Sequence, residues 1–182
     1  MLAPFEKRTK LISFLSSLVL SAVAALAFAG QPALSPTISG YYKKNDLLTL
    51  KKDVPGLAKL LNATTTDDFL FTGKPDRMGK TSTRTRSQTE QGMAQVMPLI
   101  EKFTQSVSHI QRSVVTKTSA VVTVKTIISW VTKLQPDGKT HKLENHATVE
   151  DTWVKIGGSW KLKASKNTSG KLTIDGKPPK TN

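Results

Sequence analysis

Apolar positions change their spacing three times along this chain. Residues 11–26 are apolar or small almost without a break, and no polar face interrupts them. From about Ile38 the spacing turns helical. Ile38, Tyr41, Tyr42, Leu47, Leu48 and Leu50 form a broad apolar stripe broken by Lys43, Lys44 and Asp46. Asp53 is placed to cap a second short helix, with Pro55 in its first turn and Leu57, Leu60 and Leu61 on its buried side. DDFLFT, residues 67–72, reads as a short strand. Residues 73–86 hold few apolar side chains and read as a loop or an exposed polar strand. Ser87 with Glu90 three residues on is a capping box. It opens a helix with Met93, Val96, Met97 and Ile100 on its buried face, and Pro98 kinks or shortens the end.

From Phe103 onward the pattern is extended. Residues 103–116 make a strand of mixed polarity, and Lys117-Thr118-Ser119 turns the chain. Residues 120–132 make the strongest strand, with Ala120, Val122, Val124, Ile128 and Trp130 on one face. Gln135-Pro136-Asp137-Gly138 is a turn. A strand over about 141–156 runs into Gly157-Gly158, the clearest hairpin signal in the chain. A two-residue turn there sets Trp153 against Leu162, Lys155 against Trp160 and Asp151 against Ala164. Val149, Trp153, Trp160, Leu162 and Ala164 then share an apolar face, and Glu150, Thr152, Lys161 and Lys163 share a wet one. Asp151 is the exception, a carboxylate on the aromatic face. A three-residue turn would move it off. Residues 171–174 add an edge strand before a polar tail.

Helices, a short strand, a helix and then long antiparallel strands make an α+β pattern. The chain of 182 residues contains no cysteine, which excludes disulfides, thiolate nucleophiles and cysteine-ligated metals. Lys7, Arg8 and Lys10 precede the apolar run, and Ala27-Phe28-Ala29 ends it. That is a signal peptide cleaved after Ala29, with residues 30–37 a proline-containing linker, a domain over 38–176 and a polar tail over 177–182. An uncleaved anchor is the rival reading. Cleavage leaves no stable membrane span and a periplasmic or extracellular protein. It lowers the net charge from +14 to +12, removing three cations and Glu6. Such a charge favours anionic partners, here an anionic envelope polymer and not nucleic acid, because the protein leaves the cytoplasm. Lys74, Arg77, Lys80, Arg84 and Arg86 form a basic loop for that role, against the plainer reading of a solvated loop on a protein that its charge keeps soluble. Gly79-Lys80-Thr81-Ser82 within it lacks the glycine spacing of a phosphate-binding loop.

Three histidines are present. His141 and His146 fall on opposite faces of a strand and His109 stands alone, so no metal site and no cofactor are expected. Acid–base chemistry in an apolar pocket fits the residues better. Burial raises a carboxylate's pKa and makes it a usable base near neutral pH. Asp151 and His109 are the candidate bases. Tyr42, Trp130, Asp151 and Trp153 are the candidate ligand-pocket residues. Against this stand plainer readings: Asp151 at the sheet rim, a surface His109, and tyrosines and tryptophans that simply pack the core.

DDFLFT, the capped helix SQTEQGMAQVMPLI and the hairpin EDTWVKIGGSWKL together resemble the nuclear-transport-factor-2-like superfamily, within it the SnoaL-like, ketosteroid-isomerase-like exported domains. The resemblance spans roughly residues 38–177. It implies a cone-shaped, curved antiparallel sheet packed on three N-terminal helices (a cystatin-like α+β barrel), a pocket between sheet and helices, and homodimers through the sheet. It also implies that members range from isomerases, dehydratases and cyclases to domains without an assigned reaction. The matched stretches mark scaffold, so no catalytic residue is carried over. Three functional expectations follow. The first is an exported domain binding a small apolar ligand or a partner without catalysis. The second is a proton-transferring pocket enzyme using Asp151 or His109. The third is a basic module for envelope polymers.

Overall fold

The computed structural model describes residues 33–73, 81–133 and 138–179. The signal segment, the first linker residues, Lys74, Arg77 and Lys80 of the basic stretch, and positions 135–137 of the proline turn lie outside them. In order come α1 (Pro36–Leu50), α2 (Val54–Thr64), β1 (Thr65–Thr72), β2 (Thr83–Thr85) and α3 (Arg86–Val96). A 3-10 turn (Met97–Leu99) follows, then β3 (Ile100–Val115), β4 (Ser119–Thr132), β5 (Lys142–Ile156) and β6 (Ser159–Ile174).

The strands form one six-stranded sheet in the order β2-β1-β6-β5-β4-β3. β1 runs parallel to β6, and the other pairs are antiparallel, so the sheet is mixed where a fully antiparallel one is expected. It curves over the helices without closing. The third helix follows β1 and is not N-terminal to the whole sheet.

Local chemistry explains most boundaries. The Ser35 hydroxyl accepts from the Thr37 N–H and Pro36 occupies the first turn, so α1 starts inside the expected linker. Asp53 caps α2 as its sequence predicts, accepting from the Gly56 N–H at 2.9 Å. The third helix starts two residues earlier than expected. Thr85, not Ser87, is its N-cap, and Gln88 completes the box by accepting from the Thr85 N–H. Pro98 falls in the 3-10 turn, where its missing N–H costs little. The segment 171–174 is no separate strand: β6 continues through it.

The core lies between α1, α2 and the sheet. Ile38, Tyr42, Leu61, Phe69, Val122, Trp153 and Leu162 are among its buried members. Two parts of the predicted apolar faces fall outside it. Leu47 is 50% exposed and Leu50 is exposed while Thr49 is buried, so the far end of α1 turns its stripe away from the sheet. No residue of α3 is fully buried, and Val96 is 52% exposed. That helix covers a groove instead of a packed core.

Candidate functional site

The hairpin turn is the two-residue one. Gly157 and Gly158 have φ of 56° and 82°, and Lys155 pairs with Trp160 and Trp153 with Leu162. Beyond Trp153 the expected register fails. Thr152 pairs with Ala164 and Asp151 with Ser165, so Lys163 is an extra residue in β6. This bulge reverses the parity of β6. Ala164 leaves the inner face and the Ser165 hydroxyl takes its place beside Asp151. The carboxylate on the aromatic face is therefore real, and a serine accompanies it.

Asp151 is 4% exposed and lies between Val122 on β4 and Ser165 on β6. Tyr42 donates its hydroxyl proton to Asp151 Oδ2 at 2.8 Å. The Trp153 indole N–H donates to the same Tyr42 oxygen at 3.2 Å. Tyr41 stands edge-on to both rings, with centroids 5.3 Å from Tyr42 and 5.2 Å from Trp153. Asp151 Oδ1 is buried and makes no hydrogen bond. Burial pushes the Asp151 carboxyl up to about 6, against the lowering effect of the Ser165 and Tyr42 hydroxyls. Burial, with Asp151 adding its charge, also raises the pKa of Tyr41 and Tyr42, which keeps both phenols protonated.

Tyr42, Asp151 and Trp153 thus come together, and neither Trp130 nor His109 joins them. Trp130 packs on Phe103 at a centroid distance of 6.5 Å and lines a groove of about 410 Å³ between α3 and the sheet. Met93, Met97, Ile128 and Phe71 extend the apolar wall. Asn45, Asn145 and Arg84 are its most polar members, and Arg84 is the one charged side chain among the described lining residues. A recess of about 180 Å³ shares Asn45, Leu57, Phe71, Thr89 and Met93 with the groove and reaches Tyr41 and Ser165. Asp151 lines neither space. It stands behind the wall, so the expected ligand-facing carboxylate is not found there.

His109 is exposed on β3 opposite Lys125, apart from the Tyr42–Asp151 pair. The other histidines have acidic neighbours: His141 Nδ1 lies 2.7 Å from Asp175 Oδ2 and His146 Nε2 2.5 Å from Glu144 Oε1. No group of three or more metal-ligating side chains occurs among the described residues. The basic stretch is no single loop. Arg84 belongs to β2 and Arg86 to α3, and Arg86 donates to Asp67 Oδ1 at 3.3 Å. Arg84 pairs with Phe71 through the backbone of the β1–β2 ladder, and its side chain forms no ion pair among the described residues.

Asn45 and Asn145 escaped the sequence reading although each left a trace. Asn45 follows Tyr41 by four residues, one helical turn along the apolar stripe. Asn145 shares β5 parity with Asp151 and Trp153, a polar residue on an inward face.

No protein-family model and no curated protein match this chain. Solved structures do. The Kfla4162 protein from Kribbella flavida is similar with a TM-score of 0.59 and 11% identity, over 72% of this chain and 87% of that one. Hexachlorocyclohexane dehydrochlorinase LinA-type3 from Novosphingobium barchaimii gives a TM-score of 0.57 and 15% identity, over 76% and 87%. A conserved protein from Planctomyces limnophilus gives 0.56 and 16%, over 76% and 94%. At such identities the likeness is one of fold. That fold is an α+β architecture of helices packed on one curved, unclosed mixed sheet.

Proposed function

We propose that this protein binds a small, largely apolar ligand in the groove between α3 and the sheet, and that the buried Asp151 cluster supports the scaffold without acting on the ligand. The groove's composition carries this reading. Its volume falls within the usual range for small-molecule sites, and its wall is aromatic and methionine-rich with a few polar groups. No described lining residue is a carboxylate or a histidine. Export after cleavage at Ala29, and a homodimer formed through the sheet, complete the proposal. Both rest on the sequence and the fold alone.

Filling the groove tests this. An apolar ligand retained in native mass spectrometry of the host-purified protein, or supplied at saturating concentration, should raise the wild-type melting temperature. Met93→Trp, which occupies the shared wall of groove and recess, should fold and lose the response. An equal response in both proteins would place binding elsewhere.

One observation favours proton transfer as a second reading. Asp151 Oδ1 has no hydrogen-bond partner, and Ser165 beside it lines the recess. In that reading a ketone probe such as cyclohexanone would exchange its α-protons in deuterated buffer faster with the wild type than with Asp151→Asn. Exchange at the buffer rate in both would remove it. A third reading, polymer binding through the basic residues, rests in the described chain mainly on Arg84, because Arg86 is tied to Asp67.

A further inference from the structure

Arg84 occupies a position that a solubilising surface cation does not need. It lies at the boundary of two spaces, the apolar groove and a neighbouring polar cleft lined by Gln88, Gln91 and Gln95. Its guanidinium forms no ion pair with a carboxylate among the described residues. It also lies against α3 at Gly92. A Cβ built on Gly92 would come within 3.3 Å of Arg84 Nη1, closer than side chains ordinarily pack. Glycine inside a helix is less stable than alanine, so its presence calls for a local reason. Here it leaves a bare helix surface on which the guanidinium rests, at the end of the groove that meets the polar cleft. Inward from Arg84 the wall is apolar: Met93 from α3, Met97 from the 3-10 turn, Phe103 and Trp130 from the sheet.

From this polarity gradient we infer that the ligand is a single-chain amphiphile with an anionic headgroup, a carboxylate held by Arg84, its apolar body lying along Met93, Met97 and Trp130. This rests on the groove being a binding site and adds the chemical class of its ligand. A guanidinium presents a planar fork that matches a carboxylate through two parallel hydrogen bonds, which a lysine ammonium does not. Methionine side chains adapt to chains of different shape, so the groove selects headgroup charge more sharply than tail structure. Because Arg84 is solvent-exposed, the ionic contribution is modest and falls with salt.

Decanoate and decan-1-ol share a tail and differ in headgroup charge. Isothermal titration calorimetry at low ionic strength should show the wild type binding decanoate about five-fold more tightly than the alcohol, the upper range for an exposed ion pair. Arg84→Gln should bring decanoate to the alcohol's affinity and leave the alcohol unchanged. Arg84→Lys should fall between, retaining charge and losing the fork. Thermal denaturation confirms that each variant is folded. Equal affinity of the wild type for both probes, or decanoate binding untouched in Arg84→Gln, overturns the headgroup assignment while leaving the groove a binding site. If neither probe binds the wild type, the groove reading fails and the assignment with it.

Discussion

Asp151 shows how one side chain both resists and rewards sequence reasoning. Its position on the aromatic face was visible from strand parity. Its partners were not, because Tyr42 comes from a helix 109 residues earlier and Ser165 arrives through a bulge that no local motif announces. The cost of burying this carboxyl makes a signed prediction. Its folded-state pKa of about 6 lies above the ordinary 3.8, so the folded chain takes up the proton first as pH falls. The stability it contributes is therefore fullest below about pH 4, is lost as pH rises toward about 6, and is level beyond. Relative to Asp151→Asn, which cannot titrate, the wild type should lose on the order of 3 kcal/mol between about pH 4 and 7. Urea denaturation of both proteins across that range measures it. A constant difference would mean that Asp151 keeps an ordinary pKa. Trp153, fully buried and bonded to Tyr42, gives a coarser test: Trp153→Ala should cost roughly 3–5 kcal/mol.

At the scale of elements, the apolar pattern located the three helices, β3 to β5 and the start of β6, which it broke off before 171–174, but not what holds them together. Helix α1 is fastened to β3 by Asp46, which accepts from Ser106 Oγ at 2.8 Å, the Ser108 N–H at 2.8 Å and Ser108 Oγ at 3.0 Å. In sequence Asp46 merely interrupts the stripe, and its use depends on a strand sixty residues away. Asp46→Ala should destabilise the fold by about 2 kcal/mol, since it leaves a backbone N–H and two hydroxyls without their acceptor. The start of α3 is a closer contest. Two overlapping capping patterns, Thr85 with Gln88 and Ser87 with Glu90, are nearly equal as text. Pairing of Thr85 in β2 with Leu70 in β1 decides for the first, and Glu90 accepts from Asn62 on α2 instead. Thr85→Ala should therefore cost about 1 kcal/mol and Ser87→Ala a few tenths, as denaturant melts of the two variants would show. The reverse order would restore the later helix start. The groove was the least legible feature of all. Met93, Val96 and Met97 have the spacing of a core stripe, and only the loose seating of α3 over the sheet turns them into a wall.

At the scale of the whole molecule, the fold leaves β3 as a long edge strand at one end of the sheet order. Its register against β4 shifts three times, after Ile100, Phe103 and Ile110, and it carries Lys102 and Arg112. Bulges and charges of this kind discourage uncontrolled edge pairing. Association through this edge is accordingly disfavoured, and the proposed homodimer must use a sheet face. Among the described residues no helix is long and apolar enough to cross a membrane. The described chain separates two interiors: a sealed one around Trp153, and an accessible one around Trp130 that is the proposed ligand groove. Their indole N–H resonances distinguish these roles directly. In a two-dimensional 1H–15N titration with decanoate, the Trp130 indole signal should shift and saturate, while the Trp153 signal, buried and bonded to Tyr42, should stay in place. A shift at Trp153 with none at Trp130 would put the ligand beside Asp151 and contradict the assignment of the groove.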